Sequence, residues 1–485
     1  MVDGTSLLLP PPATPRSPPA LLRNFMYMTL FFSVNHGCVT SVINLSVVLL
    51  GQRPGSFSLG ALYVMYAATA LFASTSIMAW LGSRGSLIVG TFVYCVYVFS
   101  LPLALLSASS ETGLYALAVA GGGIGGVAAG FLWAAQGAYF SESAKLYAAA
   151  AGTPVSEANA KFAAFFGAVY LGAEVLLKML PLLLRLADGG FAPPSNSTNS
   201  SNSTGPAGPA QLDVTDVVVA VTYSVLALGA AVGMLSIWDL EVVKAELART
   251  ASGALPPADE GQSLTAPPPP RPPAWHKAAA AVTLWCRRPS VLLLAPVQAC
   301  FGLCAALLGD LVAAKVVPKR WPLPRDKAVA AGLLSAMVAL VAASLQVPFK
   351  AAAARVGKPP LMLLGLSAFG GLSLTCLFHT EAELGQIPLL LSCYLLQGVG
   401  RASYEGTNKA LYSDFFPEDA PAAFSNIVLA NGLASAAGFF IFPELELPHD
   451  DAAGQKSMAS IALAASITAV IGYVLAELLH RRGRG

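Results

Sequence analysis

The chain has 485 residues, of which 55% are hydrophobic and 11% charged, with a formal net charge of +2 at pH 7. Soluble domains carry roughly 25% charged residues, so this composition excludes an ordinary water-facing surface and favours a lipid-facing one. The small net charge argues against a nucleic-acid partner, because no basic stripe is present to neutralise phosphates. The lipid bilayer is therefore the expected surrounding of the chain.

The N-terminal stretch 1–20 contains six prolines and predicts a disordered cytoplasmic tail. The apolar stretch that follows Arg23 is longer than the core of a signal peptide and has no clear cleavage site. We therefore interpret it as a membrane-spanning helix that the mature protein retains.

Twelve apolar runs are long enough to cross a hydrocarbon core of about 30 Å. Backbone groups in lipid must be satisfied within their own segment, so each run predicts a helix. The sequence thus predicts an all-α integral membrane protein with two six-helix bundles, at 21–238 and 289–480. The runs are 21–50, 59–80, 86–107, 112–140, 157–184, 214–238, 289–317, 325–347, 359–378, 387–413, 422–442 and 456–480.

The stretch between the bundles, 239–288, opens with a charged run and continues through eight prolines between Pro256 and Pro273. This composition predicts a flexible cytoplasmic linker with no packed core of its own. After the last apolar run, 481–485 forms a short basic cytoplasmic tail.

Three N-x-[ST] sequons, at Asn196, Asn199 and Asn202, lie between the fifth and sixth runs. Glycosylation of any of them would place this loop outside and both chain ends in the cytoplasm. Under that topology, 17 Lys and Arg residues are cytoplasmic and 8 lie in outer loops, in agreement with the positive-inside rule. The alternative is that an Asn/Ser-rich loop contains sequons by chance. The resident membrane, plasma membrane or endomembrane, stays open.

The two halves align at one constant offset, which places LGSRGSLIVG (81–90) on VGKPPLMLLG (356–365). The same offset places Gly123 and Gly125 on Gly398 and Gly400. A parallel repeat of this kind relates two bundles by an axis along the membrane normal. It also predicts two equivalent gate turns at the cytoplasmic face, formed by Gly82 and Arg84 in one half and by Gly357 and Lys358 in the other.

The fourth run contains Gly121-x-Gly123-x-x-Gly126, which matches the dinucleotide-binding fingerprint. That motif requires a preceding strand, whereas this one lies inside an apolar helix. The overlapping Gly-x-x-x-Gly spacings, which continue to Gly130, are typical of close helix packing instead.

Ionisable and polar side chains within the runs are the candidates for function. A charge at the centre of a spanning helix costs roughly 2.5–3.5 kcal/mol, so it should face a cavity or a partner. The candidates for a substrate cavity are Asn35, His36, Trp133, Gln136, Tyr139, Gln298, Asp310, Arg401, Glu405 and Asn408. Arg401 and Glu405 are four residues apart, so they are expected to neutralise each other, as are Glu174 and Lys178. For each pair the alternative is that it only fixes helix packing; we favour function for the first and packing for the second.

Seven cysteines lie mostly within apolar runs and show no CxxC spacing, so we interpret them as packing residues. No metal site, no cofactor and no nucleophile elbow or P-loop is predicted. The chain is therefore not expected to be an enzyme.

Two segments resemble the Uncoordinated-93 family, the ion-channel regulatory proteins of the major facilitator superfamily. GIGGVAAGFLWAAQGAYF (123–140) is similar to the family's Gly-rich helix ending in Trp-x-x-Gln-Gly-x-Tyr. NKALYSDFFPEDAPAAFSN (408–426) is similar to its Asn-x-Ala-Leu-Tyr element followed by Ala-Ala-Phe-x-Asn. The matching residues are Trp133, Gln136, Gly137, Tyr139, Asn408, Ala410, Leu411, Tyr412, Ala422, Ala423, Phe424 and Asn426.

This resemblance implies the major-facilitator fold and roles in ion-channel regulation, potassium homeostasis or escort of other membrane proteins. Two hypotheses follow. In the first, the bundles rock around a polar midplane and move a small ion or solute by alternating access, with Arg401, Glu405 and His36 as switching charges. In the second, the chain is a non-transporting regulator or chaperone that binds a channel or another membrane protein through the glycine face at Gly126 and Gly130.

Overall fold

The computed structural model describes residues 17–187, 214–252, 275–320, 327–445 and 451–482. Every secondary-structure element within these ranges is helical. The predicted sequons lie outside the described residues, as do most of the N-terminal tail and the Pro-rich centre of the linker.

The N-terminal half packs around its first helix, which contacts most of the others in that half. Its helices are α1 (Pro18–Leu49), α2 (Gln52–Ala68), α3 (Ser74–Leu106), α4 (Glu111–Ala151), α5 (Val155–Lys178), α6 (Leu180–Ala187) and α7 (Val214–Met234).

The linker and the C-terminal half supply the remaining described helices. In the linker these are α8 (Leu240–Ser252) and α9 (His276–Arg287). They are followed by α10 (Ser290–Leu307), α11 (Val317–Arg320), α12 (Lys327–Val356), α13 (Pro359–Phe378), α14 (Glu381–Leu384), α15 (Ile387–Ala402), α16 (Lys409–Phe415), α17 (Ala420–Ile441) and α18 (Asp451–Arg482).

Within the described ranges, ten helical segments are long and apolar enough to cross a membrane. One of them, Gln52–Leu106, has 55 residues, and a continuous helix of that length would extend about 80 Å, far more than one crossing needs. The helix breaks at Gly82, because its φ of 68° is not a right-handed helical value. The predicted tenth run, covered by α15 and α16, is not among the ten. The total of twelve crossings therefore stays a prediction.

The predicted repeat is visible in the backbone. Gly82 and Gly357 both have positive φ, at 68° and 84°, and each separates two long helices. Glycine adopts this conformation at little cost because it lacks a Cβ. A Cβ at Gly125 would meet the ring of Tyr97, and one at Gly400 would meet the ring of Phe369. In both halves, therefore, a glycine at the equivalent position allows close contact with an aromatic ring of the preceding long helix.

The linker is more ordered at its ends than the composition predicts. The flexible linker expected over 239–288 is wrong at α8 and at α9. Leu240 and Val243 of α8 and Leu284 of α9 are buried, and Trp285 donates a hydrogen bond to Asn426 of α17. Each of these short helices has an apolar side that packs on the bundles, and this packing offsets the entropy of ordering them.

The two halves meet along α2 with α17 and along α5 with α12. Contacts are dense at the membrane face where α2 begins and α17 ends, here called the distal face. There Arg53 and Glu444 form an ion pair of 3.2 Å, and the rings of Tyr63 and Phe439 stack with centroids 5.8 Å apart. Gly332 of α12 packs directly on the backbone of α5. The distal face is closed.

The halves separate toward the other face, where α1 begins and α18 ends, here called the terminal face. In α12, 328–339 is mostly buried, whereas only Phe349 is buried over 343–356. The side chains of Glu405 and Lys409 are 38% and 47% exposed. Because charges at this depth are costly in lipid, they indicate a water-filled cleft between the halves that opens at the terminal face.

The glycines of α4 serve internal packing. A Cβ at Gly126 would meet the backbone carbonyl of Leu62 in α2, and one at Gly130 would lie 2.5 Å from the Cβ of Thr69. The hypothesis that this glycine face binds a partner laterally is therefore wrong, since α2 already covers it.

We expect Gly126→Ala and Gly137→Ala to change stability in opposite directions. Both residues lie in α4, and Ala is intrinsically better than Gly in a helix by about 1 kcal/mol. Nothing lies within 4 Å of a Cβ at Gly137, so that variant should melt at or above the wild-type temperature. Gly126→Ala should melt lower because α2 would be pushed away. Thermal unfolding in detergent measures both, and equal melting temperatures would contradict the packing.

Candidate functional site

A buried charge cluster joins the two halves at the closed end of the cleft. Arg401 of α15 donates two parallel hydrogen bonds to Glu174 of α5, from Nη1 to Oε1 at 2.8 Å and from Nη2 to Oε2 at 2.9 Å. Lys178 donates a third to Oε1 of the same carboxylate at 2.7 Å. One carboxylate from the N-terminal half thus binds a cation from each half.

Burial makes this cluster costly to leave incomplete. The side chains of Glu174 and Lys178 are 2% and 5% exposed, whereas that of Arg401 is 16% exposed and reaches the edge of the cleft. Desolvating an ion costs several kcal/mol, which a paired geometry must offset. The bidentate arrangement, which Arg alone provides among the cationic side chains, supplies that geometry.

Aromatic rings surround His36 beside the charge cluster. Its ring lies 4.9 Å from Trp133 at 81°, 5.6 Å from Tyr170 at 27° and 5.8 Å from Tyr94. The charged groups that act electrostatically on His36 include Glu174, Arg401, Lys178 and Glu405. The imidazole therefore lies where the aromatic wall of the N-terminal half meets the charges.

Further aromatic rings come from α2 and from the C-terminal half. Tyr404 stacks on Phe301 with centroids 3.9 Å apart and 9° between the rings. Tyr63 and Tyr66 of α2 are half-buried; Arg401 acts electrostatically on the first and Glu405 on the second. The cleft is thus lined by rings from both halves around one group of charges.

Helix α15 changes to a π-helical segment, Ser403–Asn408, next to the cluster. A second π segment, Leu308–Val316, continues α10, and a third, Thr69–Ala73, continues α2. Such segments are rare and occur frequently at functional sites. Here one of them carries Glu405, which is partly exposed, and Tyr404, which is buried beside it.

The sequence matches no protein-family profile and no curated protein. The structure resembles that of the nucleoside transporter NupG, with a TM-score of 0.62 and 11% identity over 94% of this chain and 98% of that one. The inward-open xylose transporter XylE from E. coli gives 0.57 at 14% identity, over 92% and 94%. A bacterial homologue of the human lysosomal transporter Spinster, inward-facing and unoccupied, gives 0.55 at 12% identity, over 95% and 97%.

These neighbours cover nearly the whole chain in both directions. The chain has the major-facilitator fold. At such low identity the likeness concerns the arrangement of helices alone, so the chemistry of the site must be argued from its own residues.

Four of the predicted cavity residues make hydrogen bonds within their own half of the fold. They are Asn35 and Tyr139 in the N-terminal half, and Gln298 and Asn408 in the C-terminal half. Asn35 donates to the carbonyl of Ala227 at 3.0 Å and is fully buried. Tyr139 accepts from Asn24 at 2.8 Å and donates to the carbonyl of Trp238 at 2.9 Å. These bonds hold α1, α4 and the end of α7 together within the N-terminal half, so neither residue lines the cleft.

Gln298 and Asn408 form the equivalent lock in the C-terminal half. Their amides exchange two hydrogen bonds of 3.0 Å, and Gln298 also donates to Tyr412 at 3.3 Å. Both side chains are buried. A buried amide pair of this kind fixes helix register, because each lost bond would leave an unsatisfied polar group.

The predicted pairing of Arg401 with Glu405 is wrong in this structure. Glu405 instead accepts from Lys409 at 2.6 Å, while Arg401 binds across the cleft to Glu174. The physical reason is the π segment, which begins two residues after Arg401 and widens the turn between the two side chains. The predicted pair of Glu174 with Lys178 forms, but as part of the contact between the halves.

Asp310 lies apart from the cluster, in the π segment that continues α10. It is fully buried and accepts a hydrogen bond from Ser56 of α2. It therefore belongs to the closed distal face and not to the aromatic cleft. Gln136 is buried three residues after Trp133 on α4.

The predicted gate turns each attach a basic side chain to the end of a neighbouring helix. Arg84 donates to the carbonyls of Ile237 and Leu235 at 2.8 and 3.1 Å. Lys358 donates to the carbonyl of Ala410 at 3.2 Å and pairs with Asp414. Helix C-termini attract cations because their last carbonyls lack partners within the helix. Arg84 thus binds the C-terminal end of α7, and Lys358 binds α16 through Ala410 and Asp414, each within its own half.

Sequence reasoning missed Tyr63, Tyr66, Tyr170 and Tyr404 as site residues. Isolated tyrosines in apolar runs are typical of helix cores, so their identity carries no signal. The one usable signal in the sequence is the spacing of Glu174 and Lys178, which indicates a pair of charges within a membrane-spanning helix.

We expect Glu174→Gln to lower the free energy of unfolding by about 3–5 kcal/mol, because it leaves two buried cations without their shared carboxylate. Adding Arg401→Met should restore part of the loss. Thermal or denaturant unfolding of the detergent-solubilised protein measures these changes.

The matched control is Glu444→Gln, which removes a carboxylate from an exposed pair with Arg53. That change should cost less than about 1 kcal/mol. If Glu174→Gln unfolds like this control, the cluster does not hold the halves together.

Proposed function

We propose that the chain is an Uncoordinated-93-like major-facilitator transporter that moves a small ion or solute by alternating access. In this proposal the bundle 21–238 rocks against the bundle 289–480 around the aromatic cleft. The motifs that resemble the Uncoordinated-93 family support the family assignment, and the helix arrangement supports the mode of action.

The observation that carries the proposal is the ion pair between Glu174 and Arg401. A charge pair built across two rigid bundles is complete only when the bundles touch at the distal face, so its energy depends on the conformation. An element with two discrete arrangements is what alternating access requires. Bonds within one half, such as that of Asn35, have no such dependence.

The cleft residues have distinct roles in this proposal. His36, Trp133, Tyr170 and Tyr404 would contact the solute, and Arg401 would switch between the solute and Glu174. Glu405 would hold a charge at the water-accessible side. The gate turns at Gly82 and Gly357 would keep each half rigid during rocking. This division follows from position, because the first four lie beside the charge cluster and the turns do not.

We further propose twelve crossings with both chain ends in the cytoplasm. The excess of Lys and Arg on that side supports this orientation. The cleft would then open to the cytoplasm, and Asn196, Asn199 and Asn202 would be available for glycosylation on the opposite side. The alternative function, a channel regulator or trafficking chaperone without transport, requires no motion of one half against the other.

Two spin labels across the distal face test alternating access without a known substrate. Arg53→Cys and Glu444→Cys place labels on opposite halves, in a Cys286→Ser background because Cys286 is the exposed native cysteine. In lipid nanodiscs, pulsed dipolar spectroscopy should report a short distance and a second, longer one. Loss of the exposed 3.2 Å ion pair should not itself open the face, because such pairs contribute little.

The control pair is Arg53→Cys with Glu111→Cys, both on the N-terminal half at the distal face. It should give one distance, since a rigid bundle does not change internally. One short distance for both pairs would reject alternating access and leave the regulator hypothesis.

A further inference from the structure

The charges around the cleft do not balance. Counted by formal charge, Lys178, Arg401 and Lys409 are cationic, while Glu174 and Glu405 are anionic. These five side chains carry one net positive charge. At the closed end of the cleft, Lys178 and Arg401 share the single carboxylate of Glu174, so these three buried groups also carry one formal positive charge. An uncompensated buried charge is costly and attracts a counter-ion.

The donors at this point suit an oxyanion. Arg401 presents two parallel N–H groups, 2.8 and 2.9 Å from the two oxygens of Glu174, and Lys178 adds a third donor at 2.7 Å. This is the arrangement that recognises a planar or tetrahedral oxyanion in general. Glu174 occupies it now, and Arg401 is the member that borders the cleft.

The aromatic side chains beside these donors are suited to stacking with a planar ring of a ligand. Trp133 and Tyr170 are half-buried and in contact with each other in the N-terminal half, and Tyr404 is stacked on Phe301 in the C-terminal half beside Glu405. Aromatic side chains stack with a planar ligand and are worth about 0.5–1.5 kcal/mol per pair beyond area burial. Aromatic cages also bind cations, but a cation here would be repelled by the net positive charge.

Resting on the proposed function, we propose that the solute is an organic anion carrying a planar ring, and that its acidic group displaces Glu174 from Arg401 while Lys178 stays paired with Glu174. A monoanion makes the cluster neutral. Displacement also separates Glu174 from Arg401, which removes the bidentate bond between the halves. Binding of the anion thereby favours opening of the distal face and passage of the solute.

Four probes test this with the full-length protein. Benzenesulfonate is an anion with a ring and does not cross lipid unaided. Methanesulfonate lacks the ring, benzyl alcohol lacks the charge, and benzyltrimethylammonium reverses it. Benzenesulfonate should raise the melting temperature in detergent and enter proteoliposomes. Methanesulfonate should bind more weakly, and the neutral and cationic probes should have no effect.

Three variants are expected to change the affinity for benzenesulfonate in opposite directions. Arg401→Met should weaken benzenesulfonate binding by about tenfold, the loss of roughly one charge-assisted hydrogen bond. Lys178→Gln should also weaken it, because Glu174 then has Arg401 as its only cationic partner in the cluster and competes more strongly for it. Glu174→Gln should strengthen it by about tenfold, because the competing carboxylate is gone. A misfolded variant loses binding trivially, so the gain in Glu174→Gln is the decisive arm. Lys145→Gln, at an exposed pair on α4, should leave binding unchanged.

The outcomes separate the two proposals. Uptake of benzyltrimethylammonium would contradict the proposal that the solute is an anion and leave transport standing. Weaker benzenesulfonate binding in a Glu174→Gln protein that still unfolds cooperatively would do the same. If the spin labels at positions 53 and 444 report two distances but no anionic probe binds, the anion proposal is likewise contradicted and transport still stands. A single distance together with no binding or uptake would overturn the proposed function as well.

Discussion

The carboxylate of Glu174 is the group on which the arrangement of the two halves depends. Taken out of water, it must be neutralised, and its two partners come from different places. Lys178 lies one turn further along the same helix and is always within reach. Arg401 belongs to the other half, and in the proposed rocking motion it would be within reach only while the distal face is closed. The cluster therefore couples an electrostatic requirement to the relative position of two rigid bodies.

The internal repeat relates helix positions that have different roles in the two halves. The offset that aligns Gly82 with Gly357 also places Arg401 on Gly126 and Glu405 on Gly130. In the N-terminal half the glycines at these positions allow α4 to approach α2 closely. In the C-terminal half the equivalent positions carry charges, and the chain changes to a π segment there. The same positions thus serve close helix packing in the first half and carry the charges of the cluster in the second.

Most of the fold was predictable from the sequence, because lipid imposes length and composition on every spanning helix. The turns at Gly82 and Gly357 were predictable because only glycine accepts their backbone conformation. The cleft was harder. In a membrane protein the lipid-facing and the buried sides of a helix are both apolar, so periodicity does not show which side faces the partner half. Asn35 and His36 are adjacent, yet one locks α1 to α7 and the other borders the cleft. The partner of Arg401 lies in the opposite half of the chain, and no local spacing connects the two.

The cluster also contains the means of breaking without leaving a bare charge. In the proposed open state Glu174 would retain Lys178, because their hydrogen bond lies within one helix and does not depend on the other half. Arg401 retains the electrostatic attraction of Glu405 on its own helix element, the acid that its spacing first indicated as a partner. Because each side of the broken pair keeps an opposite charge nearby, the energetic penalty of separation is far below that of isolating two buried ions. A pair with no such neighbours would act as a permanent clamp, whereas this one can hold the closed state and still be released.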